Sequence, residues 1–270
     1  MKRLQNVTPE KRKDIGIFCI LGKVQEEGGM NIGVIFAGGV GRRMHTKELP
    51  KQFLQVYGKP IIIHTLQIFD THPDIDAVVV SCVKDWIPYL NELTEQYNLR
   101  KVRTIVSGGE TGQESIYKGL VAAKAIAYED AIVLIHDGVR PFIDHHVIDD
   151  NINSVKKYGS AITTSKVTET ILVVDDTNLI QEVPDRSNSR IAKAPQSFWL
   201  EDILKAHEKS KKENKLNFID SCTMMQYYGH QLYLVDGPVE NIKVTTPEDI
   251  FTMRAVLESK EILNMQGEYE

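Results

Sequence analysis

Four short apolar segments alternate with helix-like segments in the first half of the chain, and this alternation restricts the possible folds more than any other feature. Residues 32–36, 77–81, 102–106 and 131–136 are rich in Val and Ile, with little polar alternation, as expected for strands buried on both faces. Residues 60–69, 86–97 and 114–127 read as the helices between them. Such repetition implies right-handed crossovers and a mainly parallel sheet, with ligands at the carboxyl ends of the strands. The loops at 38–43, 108–115 and 137–141 should therefore converge on one rim.

The first of these loops is unusual. Gly38, Gly39 and Gly41 permit backbone conformations that let N–H groups point at phosphate oxygens, and Arg42, Arg43 and Lys51 follow. Arginine binds phosphate bidentately and lysine acts as a mobile point charge, so the stretch suits a polyphosphate. Two common nucleotide motifs fail here. Gly41 is followed by Arg42 and Arg43, not by the Lys-Ser or Lys-Thr of a Walker loop, and Met44 occupies the third glycine position of the dinucleotide fingerprint. A glycine-rich turn alone can also be only a tight connection.

With 270 residues and 42% hydrophobic content the chain can bury a full core, as one α/β domain with a smaller appendage. A net charge of −5 argues against nucleic acid, while local basic clusters suit a small anionic ligand. Cys19, Cys82 and Cys222 lack Cys-x-x-Cys or Cys/His spacing, which speaks for a reducing, cytoplasmic setting and against structural zinc. No apolar run approaches the roughly 18 residues of a membrane span. Basic residues before the apolar run 15–21 loosely resemble a signal peptide, but the small-residue cleavage site is missing. Met30 is instead expected as the native start, because the codons for residues 26–29 can spell a purine-rich ribosome-binding sequence. The expected organisation is an N-terminal extension at 1–30, a domain at 31–260 and a tail at 261–270.

Beyond residue 160 the pattern becomes β-rich, with strand-like segments at 161–164, 170–174 and 179–182 around the turn at Asp175-Asp176. A hairpin arm at about 161–192 is expected, projecting to pair with a second subunit. The alternative is an antiparallel extension of the main sheet.

Five motifs occur in order: Phe-Ala-Gly-Gly-Val-Gly-Arg-Arg-Met from Phe36, Leu-Pro-Lys-Gln-Phe from Leu49, Ile-His-Asp-Gly-Val-Arg-Pro-Phe from Ile135, Ala-Pro-Gln-Ser-Phe from Ala194, and Asn-Ile-Lys-Val-Thr-Thr-Pro-Glu-Asp from Asn241. In these the chain resembles the methylerythritol-phosphate and ribitol-phosphate cytidylyltransferases, from about residue 31 to 257. The resemblance implies an α/β Rossmann-like nucleotidyltransferase fold, a mainly parallel sheet with a projecting β-hairpin arm. It also implies a homodimer joined by that arm, CTP and a polyol phosphate as substrates, Mg²⁺ as cofactor, and release of pyrophosphate.

In such a reaction the attacking phosphate oxygen is already ionised, so no Ser, Cys or His nucleophile is needed. The protein must hold two polyanions together and stabilise charge at the α-phosphorus. By resemblance Arg43, Lys51 and Lys243 surround the phosphates and, with Arg186, form the catalytic set. Residues 241–245 read as a strand carrying Lys243, and 246–249 as the start of a helix; a solvated lysine is the alternative. Asp137 at a strand end is assigned to the metal, against the alternative of a turn-capping Asp paired with Arg140. His136 is expected to be packed and Arg140 structural.

Nucleotide binding falls to Ala37, Gly38, Gly39, Gly41, Gly109, Glu110 and Ser115, with Asp137, and Gly108 joins the cytosine pocket. Thr170 and Arg186 on the arm match positions that bind the polyol phosphate across the dimer interface. Gly112 stands where relatives carry Arg, and Ala194 where they carry Thr. The spacing between Met44 and Pro50, and the run Val183-Pro184-Asp185-Arg186, favour the ribitol-phosphate branch over the methylerythritol branch. The rival readings are another sugar-phosphate nucleotidyltransferase and a non-catalytic nucleotide-binding homologue.

Overall fold

The computed structural model describes residues 29–38, 49–127 and 130–266. The expectations for Gly39, Gly41, Arg42, Arg43 and residues 1–28 lie outside the described residues. In chain order the elements are β1 (Asn31–Ala37), β2 (Gln55–Val56), β3 (Lys59–Pro60), α1 (Ile61–Thr71), β4 (Ala77–Cys82), α2 (Ile87–Gln96), β5 (Val102–Ser107), α3 (Gly112–Ile126) and β6 (Ile132–Asp137). There follow α4 (His145–Tyr158), β7 (Ser160–Lys166), β8 (Val173–Val174), β9 (Ile180–Glu182), β10 (Arg190–Trp199), α5 (Leu200–Lys212), α6 (Ser221–Tyr227), β11 (Leu234–Asp236) and α7 (Pro247–Gln266).

Seven strands form one sheet in the order β11-β7-β10-β6-β1-β4-β5. The first four expected strands are all present and mutually parallel, with β1 between β6 and β4. The apolar runs of β1, β4 and β6 are buried between helices on both faces, whereas β5, expected to be buried likewise, is the edge strand and is only partly covered. Gly33 and Val34 of β1 mark the two sides: a Cβ on Gly33 would meet the Phe69 ring of α1 at 2.9 Å, and one on Gly119 of α3 would meet Val34 at 2.8 Å. One cluster gathers Phe69, Leu66 and Val80 beneath α1, and the other gathers Val34, Leu120 and Phe198 beneath α3. Each such side chain stabilises the fold by about 1.5–3 kcal/mol through burial.

Local signals fix the helix ends. α1 stops at Thr71, just before His72-Pro73, where the proline disfavours a further helical residue. α3 begins at Gly112, two residues earlier than expected, because Thr111 caps it by accepting the Glu114 N–H. α4 ends on Gly159, whose φ of 86° suits glycine.

Two expectations are corrected. Residues 161–164 do not belong to the arm: they lie in β7, which pairs with β10 and β11 inside the main sheet. β7 is buried almost throughout, and Thr163 accepts a hydrogen bond from Asn151 of α4. The projecting part is the separate hairpin of β8 and β9, whose turn is held by the Asp175 carboxylate accepting from the Thr177 and Leu179 N–H groups. Residues 241–245 form no strand. Their backbone is held by a bond from the Val244 N–H to the Val139 carbonyl and by side chains from elsewhere, so β-propensity there has no ladder to join. The helix expected after them is α7, with Pro247 at its first position and the Asp249 carboxylate accepting from the Thr245 and Thr246 N–H groups. Among the described residues no helix is long and apolar enough to cross a membrane.

Candidate active site

The parallel strands carry their loops to one rim, and a cleft of about 730 Å³ opens there. Ala37 and Gly38 at the end of β1 form its floor, with the buried Gln52 amide donating to the Ala37 carbonyl at 2.7 Å. Gly38 has to be small: a Cβ would stand 2.7 Å from Ser115 Oγ. That hydroxyl accepts the Gly109 N–H at 2.9 Å and donates to the Thr111 carbonyl at 2.9 Å, so the first turn of α3 shapes the loop after β5. Gly109, Glu110 and Ser115 all line the cleft.

Opposite them stands Asp137, the last residue of β6, with its side chain only 8% exposed. Its Oδ2 receives the Arg140 Nε–H at 2.9 Å and its Oδ1 lies 2.5 Å from Lys243 Nζ. Burial alone would raise the pKa of this carboxyl, but the Lys243 and Arg140 charges outweigh it and hold the group below the usual carboxylate range. Asp137 is therefore an anion at neutral pH. The Arg140 pairing weighed from sequence as the alternative to a metal role is present, and Arg140 also donates to the Asn241 carbonyl at 2.8 Å. Lys51 sits in a short 3₁₀ turn on the same cleft and donates to the Val244 carbonyl at 3.2 Å.

A second cavity of about 520 Å³ shares Phe36, Thr111, Gly112, Asp137 and Lys243 with the cleft and adds Arg140, Lys193, Gln196 and Asp220. Lys193 is nearly buried, donates to the Val239 carbonyl at 2.7 Å, and has its pKa lowered by burial. Gln196 bridges the Asp220 carboxylate and the Cys222 N–H.

The structure thus gathers Ala37, Gly38, Lys51, Gly109, Glu110, Ser115, Asp137 and Lys243 around one space. It leaves Arg186 and Thr170 apart. Arg186 donates to the Thr168 carbonyl at 2.9 Å and lines a separate recess with Lys166 and Arg190. His136 is packed as expected: fully buried, tilted against Phe69, bonded to the Arg140 carbonyl, and lowered by burial to a pKa of about 4. Sequence reasoning missed Thr111, Lys193 and Gln196. Thr111 had a signal in Thr-x-x-Glu, the pattern of a helix N-terminus, while Lys193 directly precedes the Ala-Pro-Gln-Ser-Phe motif and Gln196 lies within it.

Among the described residues no group of three or more His, Cys, Asp or Glu side chains could hold a metal ion by itself. One ionised carboxylate beside space for phosphates fits a hard cation such as Mg²⁺, which takes its remaining ligands from substrate and water.

Comparisons with known proteins show the family and the fold. The family model described as IspD, 2-C-methyl-D-erythritol 4-phosphate cytidylyltransferase, matches residues 32–259. A ribitol-5-phosphate cytidylyltransferase of Streptococcus agalactiae serotype III (strain NEM316) is 56% identical over 238 residues, covering 88% of this chain and 100% of that one. A protein of the same name from Vibrio parahaemolyticus is 48% identical, covering 88% of this chain and 100% of that one. A 2-C-methyl-D-erythritol 4-phosphate cytidylyltransferase of Clostridium botulinum (strain 657) is 38% identical, covering 84% and 97%. The crystal structure of 4-diphosphocytidyl-2C-methyl-D-erythritol synthase from Anaerococcus prevotii superposes with a TM-score of 0.74 at 28% identity, covering 85% of this chain and 96% of that one. With the matched span running from the second residue of β1 into α7 and including the residues that line the cleft, the chain belongs to the IspD family of 2-C-methyl-D-erythritol 4-phosphate cytidylyltransferases.

Proposed function

We propose that this cytidylyltransferase joins CTP to D-ribitol 5-phosphate, forming a CDP-polyol and releasing pyrophosphate. The observation that carries the reading is the meeting of Lys51, Asp137 and Lys243, from three distant segments, on one glycine-floored cleft. An oxygen of the acceptor phosphate forms the new bond to the α-phosphorus of CTP, and the bond from that phosphorus to pyrophosphate breaks. Both partners are anions, so the work is electrostatic. Lys51 and Lys243, with Arg43, neutralise charge on the triphosphate and at the α-phosphorus. Ala37 and Gly38, with Gly39 and Gly41, are assigned to the phosphates, while Gly109, Glu110 and Ser115 receive the cytidine. Asp137 would hold Mg²⁺, which when bound neutralises phosphate charge and fixes the triphosphate's orientation.

The acceptor enters the second cavity, where Arg140 and Lys193 supply positive charge beside Asp137 and Lys243. Arg186 and Thr170 reach that acceptor from the arm of a second copy, in a cytoplasmic homodimer. Support for the dimer comes from the arm's exposed Leu172, Val173, Val174, Leu179, Ile180 and Val183, a run of apolar side chains without cover in one chain. Relatives at 56% and 48% identity carry the ribitol name, which favours that acceptor over 2-C-methyl-D-erythritol 4-phosphate, the acceptor named for a relative at 38%.

The test is pyrophosphate release from CTP and Mg²⁺ with each acceptor in turn. Faster turnover with ribitol 5-phosphate is expected; preference for the methylerythritol compound reverses the acceptor assignment. Activity only with another nucleoside triphosphate, or none, overturns the wider reading.

A further inference from the structure

The loop after β5 borders two spaces. Gly109, Glu110 and Thr111 line both the Asp137 cleft and a third cavity of about 790 Å³. Two side chains of α3, Glu114 and Lys118, line that third cavity. Glu114 Oε2 accepts the Glu110 N–H at 2.8 Å, Lys118 Nζ donates to the Gly108 carbonyl at 3.1 Å, and the two side chains pair with each other at 2.9 Å. Gly109 lies so close that a Cβ there would come within 2.4 Å of Glu114. Gly112, which could brace the loop from the cleft side, offers no side chain, and a Cβ on it would meet nothing within 4 Å.

We infer that Glu114 and Lys118 are positioning residues that clamp residues 108–111, fixing the main-chain groups that read the cytosine base and so setting selectivity for CTP. This rests on the proposed cytidylyltransferase reading. An exposed i,i+4 ion pair adds little stability by itself. Here each partner also takes one backbone group of the loop, so the pair ties two loop residues to a rigid helix. The Glu114 carboxyl is held below the usual range by its bonds to Lys118 and the Glu110 N–H, which keeps it an acceptor at neutral pH. Ser115 grips the same loop through the Gly109 N–H and the Thr111 carbonyl. The clamp therefore acts at Gly108 and Glu110, the two positions that Ser115 does not hold, adding to the Gly108 N–H bond to the Cys82 carbonyl and the Ser107 hydroxyl's bond to the Gly108 carbonyl.

Lys118→Met and Glu114→Gln should each raise KM for CTP about tenfold, leave kcat at saturating CTP within about twofold, and lower the preference for CTP over UTP about tenfold. Acceptor KM should not move, and Lys118→Arg should restore much of the CTP affinity. Wild-type values of KM and of the CTP-to-UTP ratio in both variants would overturn the inference, as would a loss confined to kcat. Calorimetric titration of CTP into wild-type protein and both variants separates the two levels. A wild type that binds CTP but transfers nothing sinks the reaction, while equal CTP affinity in all three proteins sinks the clamp.

Discussion

Lys243 Nζ lies 2.5 Å from Asp137 Oδ1, although the two residues are more than a hundred positions apart, one in the middle of the chain and the other near its C-terminal helix. Arg140 occupies the other carboxylate oxygen, so one buried anion organises two cations. Asp137→Asn keeps the shape and removes the charge, leaving both cations facing each other. We expect Mg²⁺-dependent turnover to fall at least about a hundredfold. Stability should fall by about 2 kcal/mol, less than for a fully buried pair because Lys243 is 41% exposed. Steady-state kinetics and urea denaturation measure the two effects; unchanged turnover would remove Asp137 from the chemistry.

The arm can be tested by complementation. Arg186→Ala should raise the acceptor KM about tenfold or more while CTP affinity stays. If the arm serves a second copy's cleft, mixed dimers of Arg186→Ala and Asp137→Asn chains contain one intact site, and at acceptor concentrations well below the raised KM the mixture should be more active than either variant alone. Recovery absent from a mixture shown to contain mixed dimers would place Arg186 at its own chain's cleft or at none.

Acid should destabilise the fold through two histidines. Burial lowers His136 from 6.5 to about 4, and burial, then the Lys211 charge, lowers His207 likewise to about 4. Both are neutral in the folded protein, whereas the unfolded chain takes up protons as pH falls through 6.5. The stability they contribute is fully present above that value and is lost between pH 6.5 and 4, amounting to about 3 kcal/mol for each. His207→Leu should flatten the decline of the urea midpoint between pH 7 and 4.5 by about one proton's worth. An unaltered slope would contradict a neutral His207.

Gly112 offers a different kind of test. It opens α3, and open space surrounds its Cβ position. Gly112→Ala should stabilise the protein by about 0.5–1 kcal/mol by restricting the unfolded chain. Gly112→Arg should fold equally well but shift KM values, because the new side chain enters the region shared by the cleft and the second cavity. A melting temperature below wild type for the Ala variant would show strain at this position.

The β-branched runs of β1, β4 and β6 made the parallel core legible, since burial on both faces leaves a mark in composition, and β5 carries a similar run at the sheet edge while only partly covered. The converging site followed from it: once strand ends share a rim, Gly38, Asp137 and the loop at Gly109 must meet. What composition does not encode is which neighbour a strand chooses. Residues 161–164 have the same β-propensity in an arm or in a sheet, and only the Asn151 bond to Thr163 and the pairing with β10 and β11 decide. Residues 241–245 likewise carry β-branched Ile242, Val244 and Thr245 but find side-chain partners instead of a strand. The clamp at Glu114 and Lys118 was hidden because an ordinary-looking helix pair acquires its role only from the loop beside it.

The backbone near Val244 is gripped by Lys51 from the start of the domain, by Val139 from its middle, and through Asn241 by Arg140 and Ala194. Proteolytic trimming between β11 and α7 would leave the seven-stranded sheet its pairings yet strip away the anchor that aims these cations. Such a clipped protein would pass a circular-dichroism test of folding and still be inert.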